Sequence, residues 1–179
     1  ILSQDAFFSS HQDSEACVTR YMTAMLRARS AGNEAGNYVQ FLINGVEPMG
    51  ATSGSSPAVT ANEPTKSRGM TFWVVHSSEM TVLARAQFYD AGSTTGGSTQ
   101  LVTWLNSMAV DYAGNYILAG CVDNCMLETS AFNEMQMHMG STLTDLCFRC
   151  SYGAIAELGS PGVLLAEGGN TDQATSQEV

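Results

Sequence analysis

The residues best equipped for chemistry are five cysteines, three histidines and ten methionines. Cys121-x-x-x-Cys125 and Cys147-x-x-Cys150 together offer four thiolates, the donor set of a structural zinc centre. No Gly or Pro lies between the paired cysteines to build the tight knuckle such ligands need. Cys147 and Cys150 also stand three apart on an alternating run, which sends their side chains to opposite faces. An odd cysteine count at low density is the usage of reduced, partly buried thiols. No metal is assigned on this ground.

His11, His76 and His138 are the only histidines, and none accompanies a G-x-S-x-G nucleophile elbow. His138 is expected on the polar face of a Met-rich strand and His76 at the end of another, both as exposed strand histidines. Glu134 and Asp145 could approach across two adjacent strands, but an acidic chain offers such pairs by chance and no acid-base role is assigned to them. Asp111, Asp123 and Asp145 lack calcium-loop spacing. Gly92 to Gly97 lacks the Lys-Ser/Thr end of a phosphate loop and the helix start that follows one. Met135, Met137 and Met139 step at period two and read as core filling, since thioethers adapt to irregular gaps. The chain therefore reads as a non-enzyme, with no catalytic, cofactor-binding or metal-ligating residue.

The elements that must position these residues follow from periodicity. Cys17, Tyr21, Met25 and Ala28 recur at steps of three and four, which predicts an early helix over Ser14 to Ser30 with Ser14 as its N-cap. Val39, Phe41 and Ile43 alternate up to the Asn44-Gly45 turn pair. Strands are expected over Met70 to His76, Met80 to Asp90, Tyr116 to Cys121, Phe132 to Met139 and Asp145 to Ala156. Along Met80 to Asp90, Val82, Ala84, Ala86 and Phe88 share a face. A short helix is expected over Gln100 to Met108, after a Gly/Ser/Thr loop from Gly92 to Thr99. The period-two segments are half-buried, which favours antiparallel pairing. The fold class expected is mainly β, an antiparallel two-sheet sandwich with one early and one short inserted helix, a jelly roll being its leading form. One domain over 1–167 with a long loop at 47–68 and a polar C-terminal tail over 168–179 complete the reading.

Composition bounds the function. With 179 residues, 17 Asp+Glu against 7 Lys+Arg and a net charge of -10, the chain is a poor autonomous binder of nucleic acid. No stretch reaches the ~18 apolar residues of a membrane helix. Only 13% of residues are charged while 44% are hydrophobic, so the chain folds with an unusually uncharged surface, as in a subunit that lives inside an assembly. The start at Ile1 is expected to come from a cut in a longer precursor or from an excised signal.

Two segments carry a family resemblance. Lys66-Ser-Arg-Gly-Met-Thr-Phe-Trp-Val-Val-His followed by Ala84-Arg-Ala-Gln-Phe-Tyr-Asp resembles a strand pair of the jelly-roll capsid proteins of picornavirus-like viruses. The run from Gly140 to Ala154 is similar to their last long strand. The resemblance implies a structural capsid protein, one of several subunits packed laterally into an icosahedral shell and released by polyprotein cleavage. Its partners would be other capsid chains, with no strong direct nucleic-acid contact and no membrane. It would be assembled in the host cytoplasm and located in the virion.

A second reading is an extracellular β-sandwich binding module for a carbohydrate or protein ligand. It predicts stacking platforms among Trp73, Trp104 and Tyr152, an upstream signal peptide, and Cys121, Cys125, Cys147 and Cys150 paired as disulfides. All five thiols would be free in a cytosolic capsid chain. On the strand reading of Phe132 to Met139, Met137→Asp prevents folding and His138→Asp is tolerated.

Overall fold

A computed structural model describes residues 25–31, 39–46, 69–88, 96–122, 125–146, 150–170 and 176–179. The chain is mainly β, with two antiparallel sheets and two helices. Strands β1 (Leu26–Ala31), β2 (Val39–Ile43) and β8 (Ser176–Glu178) form a small sheet in the order β2-β1-β8. Strands β3 (Gly69–Val75), β4 (Val82–Phe88), β5 (Tyr116–Val122), β6 (Ser151–Glu157) and β7 (Val163–Asn170) form the large sheet in the order β4-β3-β5-β6-β7. Helix α1 (Gly97–Asp111) connects β4 to β5, and α2 (Thr129–Met139) lies between β5 and β6.

The large sheet has apolar side chains on both faces because it is covered on both. Met70, Phe72, Val74, Ile117, Ala119, Tyr152, Ala154 and Ala156 pack under the helices, with Leu101 and Leu105 of α1 and Phe132, Met135 and Met139 of α2. Trp104 wedges between Phe72 and Phe88, with ring centroids 5.6–5.7 Å away. On the opposite face Trp73, Val75, Leu118 and Ile155 meet Ala28, Val39 and Phe41 of the small sheet. Phe41 stands edge-on to Trp73 at 5.1 Å, and the Arg85 guanidinium lies 4.5 Å from the Trp73 ring centroid.

Glycines set how close the sheets come. A Cβ on Gly120 would lie 2.8 Å from Val39 Cγ1, so only glycine lets β2 settle onto β5 there. At that end β5 and β6 part beyond the pair Gly120 and Gly153, and Ser30 fills the gap. Its hydroxyl donates to the Cys121 carbonyl at 2.7 Å and accepts from the Tyr152 amide at 3.1 Å. Two buried backbone groups that the ladder leaves open are thus satisfied by one side chain.

Several expectations hold and others need correction. The strands over Met70 to Val75, Val82 to Phe88 and Tyr116 to Cys121 are present, as is the Asn44-Gly45 turn, and Val39 to Ile43, whose alternation left strand and helical turn both open, is a strand. On β4 the shared face of Ala84, Ala86 and Phe88 holds, but a register shift between Val74 and Val75 turns Val82 to the other side. The inserted helix is longer than Gln100 to Met108, because Leu101, Leu105 and Ala109 extend one buried stripe. Its start at Gly97 also means that the Gly92 to Gly97 run does lead into a helix.

The early helix is corrected over its described end. Leu26–Ala31 is a strand, since pairing Ala28 with Phe41 and burying Ser30 between β5 and β6 outweighs the local period. Residues 14–24 of that expected helix and the long loop at 47–68 lie outside the described residues. The expected strand over Phe132 to Met139 is a helix. Ala131, Phe132, Met135, His138 and Met139 are its buried face, whereas Met137 is 53% exposed. Methionines at i, i+2 and i+4 fit both periods, because the outer two share a face in either. Gly140 closes α2 at φ 67°, its N–H bonded to the Gln136 carbonyl in the 5→1 pattern of an αL ending, with Ser141 N–H reaching the Met135 carbonyl. The last expected strand begins only at Ser151. Of the stretch read as a polar tail, residues 168–170 belong to β7, and Ser176–Glu178 pairs with β1.

Candidate ligand-binding cleft

Between α2 and the far end of the large sheet lies a cleft of about 680 Å³. Met126 and Leu127, on the approach to α2, form one wall with Phe132, and residues 142–146 form the other. Tyr152 of β6 and Glu167 and Gly169 of β7 close the floor. The volume falls within the ~300–1,000 Å³ of small-ligand sites.

Glu167 reaches this face through an irregularity. A register shift between Ile155 and Ala156 pairs Leu164 with Ala156 but Ala166 with Ile155. The bulge reverses the alternation, so Glu167 lies beside Ala154 on the helix side. There it is the hub of a hydroxyl cluster. Ser141 Oγ and Tyr152 Oη donate to Oε1, the latter at 2.7 Å, while Thr142 Oγ1 and the Thr142 amide donate to Oε2, the amide at 2.9 Å. Leu143 N–H donates in turn to Ser141 Oγ at 3.1 Å.

Each carboxylate oxygen accepts two bonds, which saturates it. Burial on its own would raise the Glu167 carboxyl, but the hydroxyls of Ser141 and Thr142, the Thr142 amide and the Tyr152 hydroxyl together hold it below the usual range. Burial, followed by the charge of Glu167, pushes the Tyr152 phenol well above its ordinary value. Glu167 is thus a positioning group that fastens the 141–146 wall to β6 and β7.

Two disulfides brace the same cleft, which corrects the expectation of reduced thiols. Cys121 and Cys125 are bonded, their Cα atoms 5.8 Å apart, well inside the reach of a bridge. Cys150 is disulfide-bonded as well. Cys121 Sγ sits 3.2 Å from the Cys150 carbonyl oxygen, an S···O contact because a bonded sulfur carries no proton. Cys125 immediately precedes the Met126–Leu127 wall and Cys150 immediately precedes β6. Three of the four candidate zinc thiolates, Cys121, Cys125 and Cys150, are thus held in disulfides. Cys147 lies outside the described residues.

A second cluster has the residue types of a nucleophile relay. Ser160 Oγ is 2.8 Å from His138 Nδ1, and His138 Nε2 is 3.1 Å from Glu134 Oε2. The Gly159 carbonyl, however, lies 2.9 Å from the same Nδ1 and can only accept, so it competes with Ser160 for that nitrogen. Gly159 and Gly162 amides bond back to the His138 and Met137 carbonyls. The cluster is a clamp that ties the 159–162 turn to the end of α2.

The other sequence candidates fall as follows. His138 is 3% exposed and not on an open strand face, because the helix turns it toward Asn106 and Gly159. His76 follows β3, and its Nδ1 accepts from the Ser78 and Glu79 amides, a turn cap. His11 lies outside the described residues. Glu134 and Asp145 are not strand neighbours: Glu134 faces Asn106 on α1, and Asp145 stands at the cleft rim. Trp73 and Tyr152 are fully buried and offer no open stacking face, and Trp104 is partly buried against the core. No local signal points to Glu167, whose partners are 15, 25 and 26 residues away and meet it only through the bulge. Compared with models of known protein families and with curated proteins, the chain matches none.

Proposed function

We propose that the chain is a β-sandwich binding module of the extracellular space whose ligand is a protein, and that it is not an enzyme. One observation carries the reading: a cleft of ligand size whose wall and floor each follow directly on a disulfide-bonded cysteine, Cys125 and Cys150. Disulfides persist in oxidising compartments. They hold the cleft preformed, which lowers the entropic cost of binding. A protein ligand is favoured over a carbohydrate because Phe132 and Tyr152 present no flat exposed ring, whereas Leu127, Leu143 and Leu146 set an apolar part beside the polar groups of the lining.

The capsid subunit is the alternative reading. Its support is the likeness of the strand runs and the low charge, and it entails a jelly roll of two facing sheets made from paired Greek keys. A five-stranded sheet with two helices on one face gives the binding module the better support. Alkylation of the native chain without reductant, followed by mass measurement, separates the two. The module predicts one adduct, from the single cysteine left after two bridges. Five adducts would overturn it in favour of a cytosolic chain.

A further inference from the structure

The charges around the cleft narrow the ligand. Among the described residues its lining contains two carboxylates, Glu167 and Asp145, and no Lys, Arg or His. Glu167 has every acceptor position filled by Ser141, Thr142 and Tyr152, so it supplies a fixed negative field and no further hydrogen bond. Asp145 is exposed at the rim beside Thr144. Leu127, Phe132, Leu143 and Leu146 supply the apolar pit of the cleft, and Met126, 52% exposed, lines it with them. A flexible thioether adapts to differently shaped apolar groups. β7 is the outermost strand of its sheet among the described residues and carries Glu167 and Gly169.

From the proposed binding role, we infer that the cleft seats a segment of a partner protein in which a large aliphatic or aromatic side chain is followed by lysine or arginine. The apolar side chain enters the pit, and the cation faces Asp145 within the field of Glu167. Anionic ligands are repelled by both carboxylates. The chain's net charge of -10 draws a basic partner from a distance and speeds encounter at low salt.

The test uses the full chain with its disulfides intact, immobilised and panned against phage-displayed random dodecapeptides. Enrichment of an apolar residue next to Lys or Arg is expected. Binding of the enriched peptides should weaken at least about tenfold in Asp145→Lys, and weaken with salt. Gly169→Leu is the second variant. A Cβ there meets only the Tyr152 ring at 3.6 Å and Leu143 at 4.0 Å, so the new side chain fills the cleft without forcing the sheet apart. It should abolish binding while leaving the melting temperature within a few degrees. Enrichment of acidic or charge-free peptides, no enrichment above a blank surface, or affinity unchanged in both variants would each overturn the inference. The thiol count reports separately: paired cysteines with failed panning remove this ligand class alone, whereas five free thiols remove the binding module itself.

Discussion

Gly120→Ala measures how tightly the small sheet is seated on the large one. The added Cβ would stand 2.8 and 3.1 Å from the two methyls of Val39 and 3.4 Å from Phe41 Cε1. Carbon atoms in good contact lie ~3.5–4.0 Å apart, so Val39 must retreat by up to about 1 Å. Both of its methyls face the new atom, and its branched side chain has few alternative rotamers, so the retreat falls on the β2 backbone. That motion also draws Phe41 from its edge contact with Trp73. Overpacking of this kind costs about 1–3 kcal/mol, offset by about 0.5–1 kcal/mol because alanine is a better strand residue than glycine. The expected net loss is about 1–2 kcal/mol, a fall of about 3–6 °C in Tm for a chain this size.

Val39→Ala alone removes two buried methyls and should cost about 2 kcal/mol. In the double variant the methyl added at position 120 occupies the vacated space, so urea unfolding should show the pair less destabilised than the sum by at least about 1 kcal/mol. Additivity within about 0.5 kcal/mol, or a stabilising Gly120→Ala, would refute the packing argument.

Two further outcomes follow from the helix and the cleft. Met137→Asp should be tolerated within about 1 kcal/mol, because the side chain is exposed, whereas Met139→Asp should prevent folding by placing an unpaired charge in the core. Circular dichroism melts of the two variants check this, and equal damage from both would refute the register of α2. Glu167 contributes stability because its folded carboxyl titrates below the unfolded value near about 4.3. That contribution is present above the unfolded value and is lost as pH falls through the folded one. Tyr152 is the opposite case. Its folded phenol titrates above about 10, so its contribution is present below that value and is lost as pH rises beyond it. Glu167→Gln keeps the shape but aims an amide at two donors of Thr142; at neutral pH it should cost about 1–2 kcal/mol, the side chain being half exposed. Denaturant midpoints measured from pH 3 to 7 should then lose part of their acid dependence.

How much is legible in the sequence can be argued from single elements. β3 and β5 are flanked on both sides in their sheet, and their near-continuous apolar runs announce this without help from any distant residue. α1 shows its stripe at Leu101, Leu105 and Ala109. α2 reads as a strand although its helical signals are present: the helix formers Glu134, Met135 and Gln136, and Gly140 placed to close the last turn. Met135, Met137 and Met139 mask them, since their spacing suits a strand equally well. The cleft is not legible at all, because its floor depends on a bulge, and a bulge leaves no fixed mark in composition.

The sequence by itself determined that this is a mainly β chain, because an alternating or continuous apolar run is a local property that any strand must satisfy. Only the tertiary structure decided that Leu26–Ala31 is a strand, that Cys121 bonds Cys125, and that Glu167 meets Ser141 and Tyr152. The physical reason is distance along the chain. Ser30 is held by groups 91 and 122 residues away, and the energy of burying and satisfying such groups exceeds the few tenths of a kcal/mol by which a short segment prefers helix to strand.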